Sequence, residues 1–598
     1  MLERVVGGLA GIGSHDHGFR VTGTPEDRRA ARFVTTEMRA IGLEQVAIEQ
    51  VPVDSWRFTG GSVTLDDGTQ WQCASLGSVP PTPPRGVTGE LVMVGDGRRS
   101  VLDKLDLAGR IALLDWRRIP VGIADVCLEL GARGVTAVVV TSLDGGARFQ
   151  GENALGSSVS GWHDGAPPAI TLRKRDAYEL LARSRAGAQT ITVRLEVKIT
   201  HNASGCNAVG VLPGRRSDLA PIVVGAHHDA WFSGAWDNAS GVASLLVIAK
   251  ALAQGGWRPR RPVWFVSHTA EEYGRIGDPM PWCFGAWQQL ALSHPRWGGT
   301  VPFYLNIEAS GHPKLPVLVE ASPELKPFAA PFFRRALRDG VLPNGWWFSG
   351  DPATGTEAWP FQLAGIPSMS VYNWHKSIVG TDYHTTNDVP SLVDFGYLAN
   401  LTRVYLDLLV AAEQSVDRLL DYGARRDHLR LATGNERLRQ AADQYAQAGS
   451  RVRFRRLMKG GIGVDAHGDT TYLHAQAEAD VVQLGRALEA LARGDRRAAT
   501  RAALKVGDNA AYSHLSHPAF STMRRRDLGS RGSWPAKSHL TTWPDLWNEI
   551  ASLRCDSDAT PFGPWVTHSF ERHRKRIQRE RDRRIARLAT LLEGRTSS

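Results

Sequence analysis

The sequence predicts an α/β core that a β-rich segment interrupts and a helical segment follows. Three observations carry this. Across the middle of the chain, apolar runs of strand length alternate with a helical pattern. IVVGA (222–226), PVWFVS (262–267), FYLNI (303–307) and PSMSVY (367–372) are strand-like, and SGVASLLVIAKALA (240–253) is helical and closed by Gly255-Gly256. Such alternation implies a sheet with covered faces. Before it, ELVMVG, RIALLDW and VTAVVVTS give residues 56–200 a β-rich character, with a short helix around Ala124–Leu130 that ends at Gly131. After about residue 421 the pattern turns helical, and Val481, Leu484, Leu488 and Leu491 share one stripe of VVQLGRALEALARG (481–494). A chain of 598 residues is too long for one core. The expected organisation is a first domain built from 1–55 and 201–421, an insert at 56–200 and a helical domain at 422–598.

Near the start, residues 26–43 form an expected amphipathic helix, with Ala30, Phe33, Val34, Met38 and Ile41 at helical spacing. Gly23-Thr24-Pro25 punctuates its start, Pro being a suitable opener. Two alternating strands, VAIEQVPV and SVTLDD, follow it.

Composition narrows the function classes. Hydrophobic residues make up 42% and charged residues 22%, an ordinary globular balance. No apolar run reaches the roughly 18 residues of a membrane span. MLERVVGGLAGIGSHDHG carries Glu3 and a Gly-broken apolar stretch, a poor secretory signal, so a cytoplasmic location is expected. The five cysteines (Cys73, Cys127, Cys206, Cys283, Cys555) are scattered, which suggests neither a disulfide framework nor a thiolate metal site. Any metal must then be held by imidazole and carboxylate. Of the net charge of +10, residues 571–587 contribute nine Lys/Arg against three Asp/Glu. No aromatic residue interleaves with them as base stacking wants, so a solvated helix face with i,i+4 ion pairs is expected in place of a nucleic-acid site.

The chemistry-bearing residues cluster after the strands, where open α/β sheets place their sites. His227-His228-Asp229 follows the first central strand. In extended chain Asp229 shares a face with His227 and can accept a hydrogen bond from its far ring nitrogen, fixing the tautomer. His228 faces away, as a packed or solvated histidine. Asp237-Asn238 opens the next helix; alone it reads as an N-cap, and beside His227 it reads as a ligand. Glu271-Glu272 pairs two acids that repel unless a cation or proton relieves them, so one can bind metal while the other moves a proton. Glu308 ends the third strand, and Tyr383-His384 lies in DYHTTND.

Together these segments resemble the co-catalytic zinc exopeptidase family that includes glutamate carboxypeptidase II, bacterial zinc aminopeptidases and the transferrin receptor. The family's His-x-Asp, Asp-(Asn/Pro)-x-Ser-Gly and Glu-Glu motifs stand here as His227-His228-Asp229, Asp237–Gly241 and Glu271-Glu272. Glu308 in YLNIEASG and His384 in YHTTND complete the order. The resemblance implies two zinc ions, one on His227, Asp237 and Glu308, the other on Asp237, Glu272 and His384, with a hydroxide bridging them. It implies Glu271 as general base and Tyr383 as donor to the developing oxyanion. SGDPATGTEAWPFQLAGIPS (349–368) resembles the family's pocket-lining segment, which puts Asp351 and Glu357 among substrate contacts. Residues 56–200 resemble a protease-associated domain, and the helical part resembles a dimerisation domain, implying a homodimer.

Two departures bear on function. The family usually has Asp where Glu308 stands, and the extra methylene must be absorbed. Ser370 and Tyr372 occupy positions where glutamate carboxypeptidase II carries arginines for acidic substrates. Of 19 tryptophans, Trp231, Trp236, Trp346, Trp347, Trp359 and Trp374 lie near the motifs, and Trp236 and Trp374 are expected to face an apolar or aromatic substrate group. The expected activity is hydrolysis of an amide bond in a short peptide or N-acyl amino acid. A silent receptor-like protein and a glutaminyl cyclase-like acyl transferase are the alternatives.

Overall fold

The computed structural model describes residues 1–115, 123–141, 153–157, 165–276, 282–350, 354–375, 381–461, 463–464, 470–507, 509, 515–529, 545–554 and 564–595. Asp351 and Cys555 lie outside them. Fourteen strands join in one mixed sheet. In chain order they are β1 (Glu44–Leu65), β2 (Gln70–Gln72), β3 (Ala74–Ser75), β4 (Val87–Gly95), β5 (Ile111–Asp115), β6 (Ala137–Thr141) and β7 (Ala169–Thr171). Then come β8 (Thr190–Leu212), β9 (Ile222–His227), β10 (Val263–His268), β11 (Tyr304–Ile307), β12 (Val317–Ala321), β13 (Trp346–Ser349) and β14 (Ser368–Asn373). The spatial order is β13-β12-β14-β11-β9-β10-β8, continuing through β4-β5-β6-β7-β3, with β1 beside β8.

The two expected strands VAIEQVPV and SVTLDD are one continuous strand. β1 keeps its course because β8 is equally long and pairs with it antiparallel from Glu44↔Val211 to Leu65↔Ile191. The pairing slips at three places, and at the middle one Val53 faces Ala203 but Ser55 faces Thr200, and Asn202 adopts a left-handed φ of 54°. Such a slip bends and twists the ribbon. The Asp54 carboxylate stitches it, accepting from the N–H groups of Asn202 at 3.0 Å and Ile276 at 3.1 Å. On one side of the slip the ribbon joins β10; on the other it joins β4.

The Pro25–Ile41 helix forms as expected. Thr24 accepts a hydrogen bond from the Asp27 N–H, Pro25 takes the first turn, and Gly42 closes it at φ 94°. Its buried residues include Ala30, Val34, Met38 and Ile41, while Phe33 is only partly covered. This helix and those at Ser240–Gln254 and Phe395–Gln414 pack apolar faces on the central strands in one cluster with Val224, Leu305 and Val371. β9, β10, β11 and β14 run parallel, so their carboxyl ends lie at one edge. His228 faces away from that edge, as expected. It lies between Ser267 Oγ at 2.9 Å and Asp27 Oδ1 at 3.0 Å, with all three fully buried. A Ser-His-Asp line closed to solvent is a packing network.

The C-terminal part is helical. The long Pro564–Glu593 helix joins two apolar clusters, contributing Val566, Phe570 and Ile577 to one and Ile585, Leu588 and Leu592 to the other. Its basic face carries the expected local pairs, with Glu580 held by Arg584 at 2.9 Å and Arg583 at 2.8 Å. No helix among the described residues is long and apolar enough to cross a membrane.

One buried ion pair fastens the helical part to the core. Arg425, on the Tyr422–Ala432 helix, grips both Glu324 oxygens at 2.9 and 2.8 Å. Tyr445 donates to Glu324 at 3.0 Å, and Arg425 also reaches Tyr472 Oη at 2.6 Å. Removing one partner strands the other charge. Arg425→Met is expected to cost about 3–5 kcal/mol in urea unfolding. The double variant Glu324→Leu/Arg425→Met recovers most of that loss.

Candidate metal centre

The site forms where β9, β10 and β11 end, and each ligand is aimed by the backbone next to it. His227 is the last residue of β9 and is buried. Its Nδ1 lies 3.0 Å from the Asp229 backbone carbonyl, which fixes the tautomer that leaves Nε2 facing the site. This corrects the expected role of the Asp229 side chain. The carboxylate is 3.7 Å from the ring and instead accepts from the N–H groups of Glu271 and Glu272, both at 3.1 Å. Asp229 thus aims the acidic pair. Burial raises its pKa, and the imidazoles of His227 and His228 offset that only in part.

The two roles left open for Asp237 are resolved by its neighbour. Asn238 Oδ1 accepts from the Gly241 N–H at 3.0 Å, doing the work at the helix start. The Asp237 carboxylate is free to face His227 and His384. Its main chain is fixed from behind by Asp388, which accepts from the Trp236 N–H at 2.6 Å and the Asp237 N–H at 3.0 Å. Burial, and then the nearby Asp237 charge, push Asp388 up to about 8.

Glu308 absorbs its extra methylene through Asn306. Asn306 Nδ2 donates to Glu308 Oε2 at 3.0 Å, which leaves Oε1 at 2.7 Å from His227 Nε2. Asn306 is held in turn by Tyr304 Oη at 3.0 Å and Ser370 Oγ at 3.1 Å.

Two clusters able to hold metal ions result, His227/Asp237/Glu308 and Asp237/Glu272/His384, sharing Asp237. Contacts of 3.3 Å from His227 Nε2 to Asp237, and of 2.9 and 3.4 Å from His384 Nε2 to Glu272 and Asp237, bring the donors together. Ligands at ~2.0–2.2 Å from a tetrahedral zinc ion are separated by about 3.3 Å. Asp237 Oδ2 and Glu272 Oε1 are buried and accept no hydrogen bond, and His384 Nε2 makes none of good geometry, although carboxylate oxygens of Glu272 and Asp237 lie 2.9 and 3.4 Å from it. Atoms that converge on a common point without bonding one another fit a shared cation. The donor set, imidazole plus carboxylate, suits zinc.

Glu271 stands beside the clusters. Its Oε1 is 3.4 Å from Cys283 Sγ, which donates to it. Burial, reinforced by Glu272, Glu357 and Glu308 and opposed by His227, raises its proton affinity. Tyr383 stacks on His384 with centroids 3.7 Å apart, and burial followed by the surrounding carboxylates keeps its hydroxyl protonated.

Four further residues, Trp236, Glu357, Arg20 and Asp388, differ from expectation or were missed. Trp236 is fully buried and edge-on to Tyr383 and His312, so it backs the site from within the fold; Trp374, half-buried, lies 5.0 Å edge-on from Tyr383. Glu357 is also fully buried, near Glu308 and Glu271, which takes it out of the open pocket. Arg20 gave no sequence signal. It lies fully buried under the loop after β9, binding the carbonyls of His228 at 2.5 Å, Leu9 at 2.9 Å and Ser233 at 3.0 Å. Asp388 sits at the end of the YHTTND motif and could have been read from it as an acid facing the site.

With the geometry in place, known proteins give the comparison. The sequence model of peptidase family M28 matches residues 207–409. Carboxypeptidase Q of Bos taurus is 24% identical over 274 residues, 44% of this chain and 57% of that protein. A probable glutamate carboxypeptidase of Zea mays is 28% identical over 323 residues, 44% of this chain and 45% of that protein. The chain thus spans about half the length of these relatives. A zinc aminopeptidase from Bacillus subtilis superposes with a TM-score of 0.54 at 19% identity, over 69% of this chain and 94% of that one, showing the same fold. Sequence match, fold and paired ligand clusters agree: the stretch that matches peptidase family M28, residues 207–409, is the one that holds both metal clusters.

Proposed function

We propose that the chain is a zinc-dependent hydrolase of amide bonds in short peptides or N-acyl amino acids. The observation that carries this is the pair of metal clusters sharing Asp237, with Glu271 beside them. Two bound zinc ions supply Lewis acidity toward the scissile carbonyl and toward water. The protein's residues do the rest. Glu271 accepts the proton of the attacking water at a carboxylate oxygen and passes it to the leaving amine. Cys283 Sγ and the backbone set by Asp229 hold that carboxylate in place. Tyr383 donates a hydrogen bond to the carbonyl oxygen as charge builds on it.

The surroundings disfavour acidic substrates. Ser370 is committed to Thr356 at 2.7 Å, and Tyr372 donates to Glu320 at 2.5 Å, so this wall offers a carboxylate where an acidic substrate needs a cation. Trp374 beside Tyr383 supports an apolar or aromatic group. Residues 56–200 are read as a protease-associated insert in a domain made of 1–55 and 201–421, and 422–598 as the part that pairs two copies. Exposed Leu431, Val452, Val482 and Trp565 on that helical part support the pairing. A cytoplasmic location completes the reading. A receptor-like protein does not need the full ligand set.

Glu271→Gln is expected to lower kcat about 10²–10⁴-fold with zinc content unchanged. Glu308→Ala is expected to lose bound zinc together with activity; unchanged zinc and turnover would remove it from the ligand set. On a panel of free-amine dipeptides, N-acyl amino acids and γ-glutamyl compounds, aromatic members should be cleaved faster than acidic ones. Preference for the acidic members defeats the specificity reading. No cleavage, with two zinc ions bound, returns the receptor-like alternative.

A further inference from the structure

The loop that carries His384 is clasped by the β-rich segment. Ser157 N–H donates to the His384 carbonyl at 3.0 Å, and Thr386 N–H donates to the Leu155 carbonyl at 3.0 Å. Leu155 N–H returns a bond to Thr386 Oγ1 at 3.0 Å, and Gly156 pairs antiparallel with Thr385. Residues 155–157 are themselves pinned to that segment. Thr171 Oγ1 on β7 donates to the Gly156 carbonyl at 2.7 Å, and Ser157 Oγ donates to the Ser75 carbonyl of β3 at 2.7 Å. Leu155 is fully buried in the same apolar cluster as Ile170.

The clasp has something to hold. His384 has a left-handed φ of 56°, a conformation that a non-glycine residue keeps only when its surroundings impose it. By contrast, His227 and Glu308 are oriented by the Asp229 carbonyl and Asn306, which belong to the central sheet and its adjoining loop. The two metal clusters therefore rest on different supports. One is built on the ends of β9 and β11; the other takes its histidine from a loop tied to residues 155–157.

We propose that residues 155–157 act as a positioning strand for His384, so that the β-rich segment sets the affinity of the Asp237/Glu272/His384 cluster for its metal and leaves the other cluster unaffected. The inference rests on the dizinc reading above. A hydrogen bond that fixes the orientation of a ligating histidine typically accounts for about ten- to a hundredfold in metal affinity. Here the restraint acts one step further out, through the backbone of His384, and the lower end of that range is expected.

The test is zinc binding by competition with a chromophoric chelator, on the full chain. Thr171→Val removes a bond internal to the β-rich segment, and Thr386→Val removes the side-chain bond among the three across the clasp. Each should bind one zinc ion as tightly as the unaltered chain and the other about tenfold more weakly. The loss should match in kind that of His384→Ala and not that of His227→Ala. Thr171→Ser keeps the hydroxyl and should restore both affinities. Should Thr171→Val fail to fold by near-UV circular dichroism, Thr386→Val, at a partly exposed position, carries the test. Equal affinities in variant and unaltered chain, or equal weakening of both ions, overturns the positioning role. An unaltered chain that binds fewer than two zinc ions overturns the dizinc reading and this inference with it.

Discussion

Buried negative charge is the constraint around which this protein is arranged. Asp229, Asp237, Glu271, Glu272, Glu308, Glu357 and Asp388 all lie below the surface at one edge of the sheet. Carboxylates so placed repel one another and lose their hydration, a cost that rises steeply in a medium of low dielectric. The fold answers with donors in fixed places. Paired backbone N–H groups meet Asp229 and Asp388, the Asn306 amide meets Glu308, and Arg20 sets a cation under the loop. These donors hold the outer acids. The inner ones keep oxygens free of partners, and divalent cations are what such oxygens accept best.

How much of this was legible follows from which part of the arrangement is local. Each ligand stands within a few residues of a strand end, and strand ends are readable from apolar runs. His227, Glu272 and Glu308 were therefore visible in the sequence, as was the role of His228 as a packed residue. The supports are not local. Arg20 reaches the site from 208 positions before His228, and nothing in GFRVTG distinguishes it from a surface arginine. The orienting role given to the Asp229 side chain failed for a geometric reason: the backbone turns after β9, which puts the carbonyl nearer to the ring than the carboxylate. Trp236 and Glu357 show the same limit. A sequence places a residue near a site but does not say which way it faces, and both face inward. In the fold, helical periodicity gave Pro25–Ile41 closely, whereas the continuity of β1 depended on a partner strand some 150 residues away.

The β1–β8 ribbon explains how a segment remote in sequence can matter at the metal centre. It belongs to both halves of the sheet, and the middle one of its slips sits at Asp54, whose carboxylate also binds the chain just after the acidic pair, at Ile276. Tyr273, in the same stretch, packs into the apolar cluster of the β-rich segment, as do Trp231 and Phe232 from the loop after His227. The loops bearing the acids are thus shared property of both halves. Trp231 meets the His384 ring edge-on at 6.5 Å, so that core also backs the ligand that residues 155–157 clasp.

This sharing has a consequence for specificity. The ligand clusters stand among the ends of the central strands, Trp374 beside Tyr383, and the β-rich segment that clasps the His384 loop. The central-sheet wall is already committed: Tyr372 to Glu320, Ser370 to Thr356, Asn306 to Glu308. Each of these bonds serves the metal centre or the sheet, and changing one to suit a new substrate disturbs a ligand. Selectivity is easier to vary at side chains that bond neither a ligand nor the sheet. That separation follows from the first constraint. A fold that must neutralise so many buried acids leaves few polar groups on the catalytic strands free to recognise anything else.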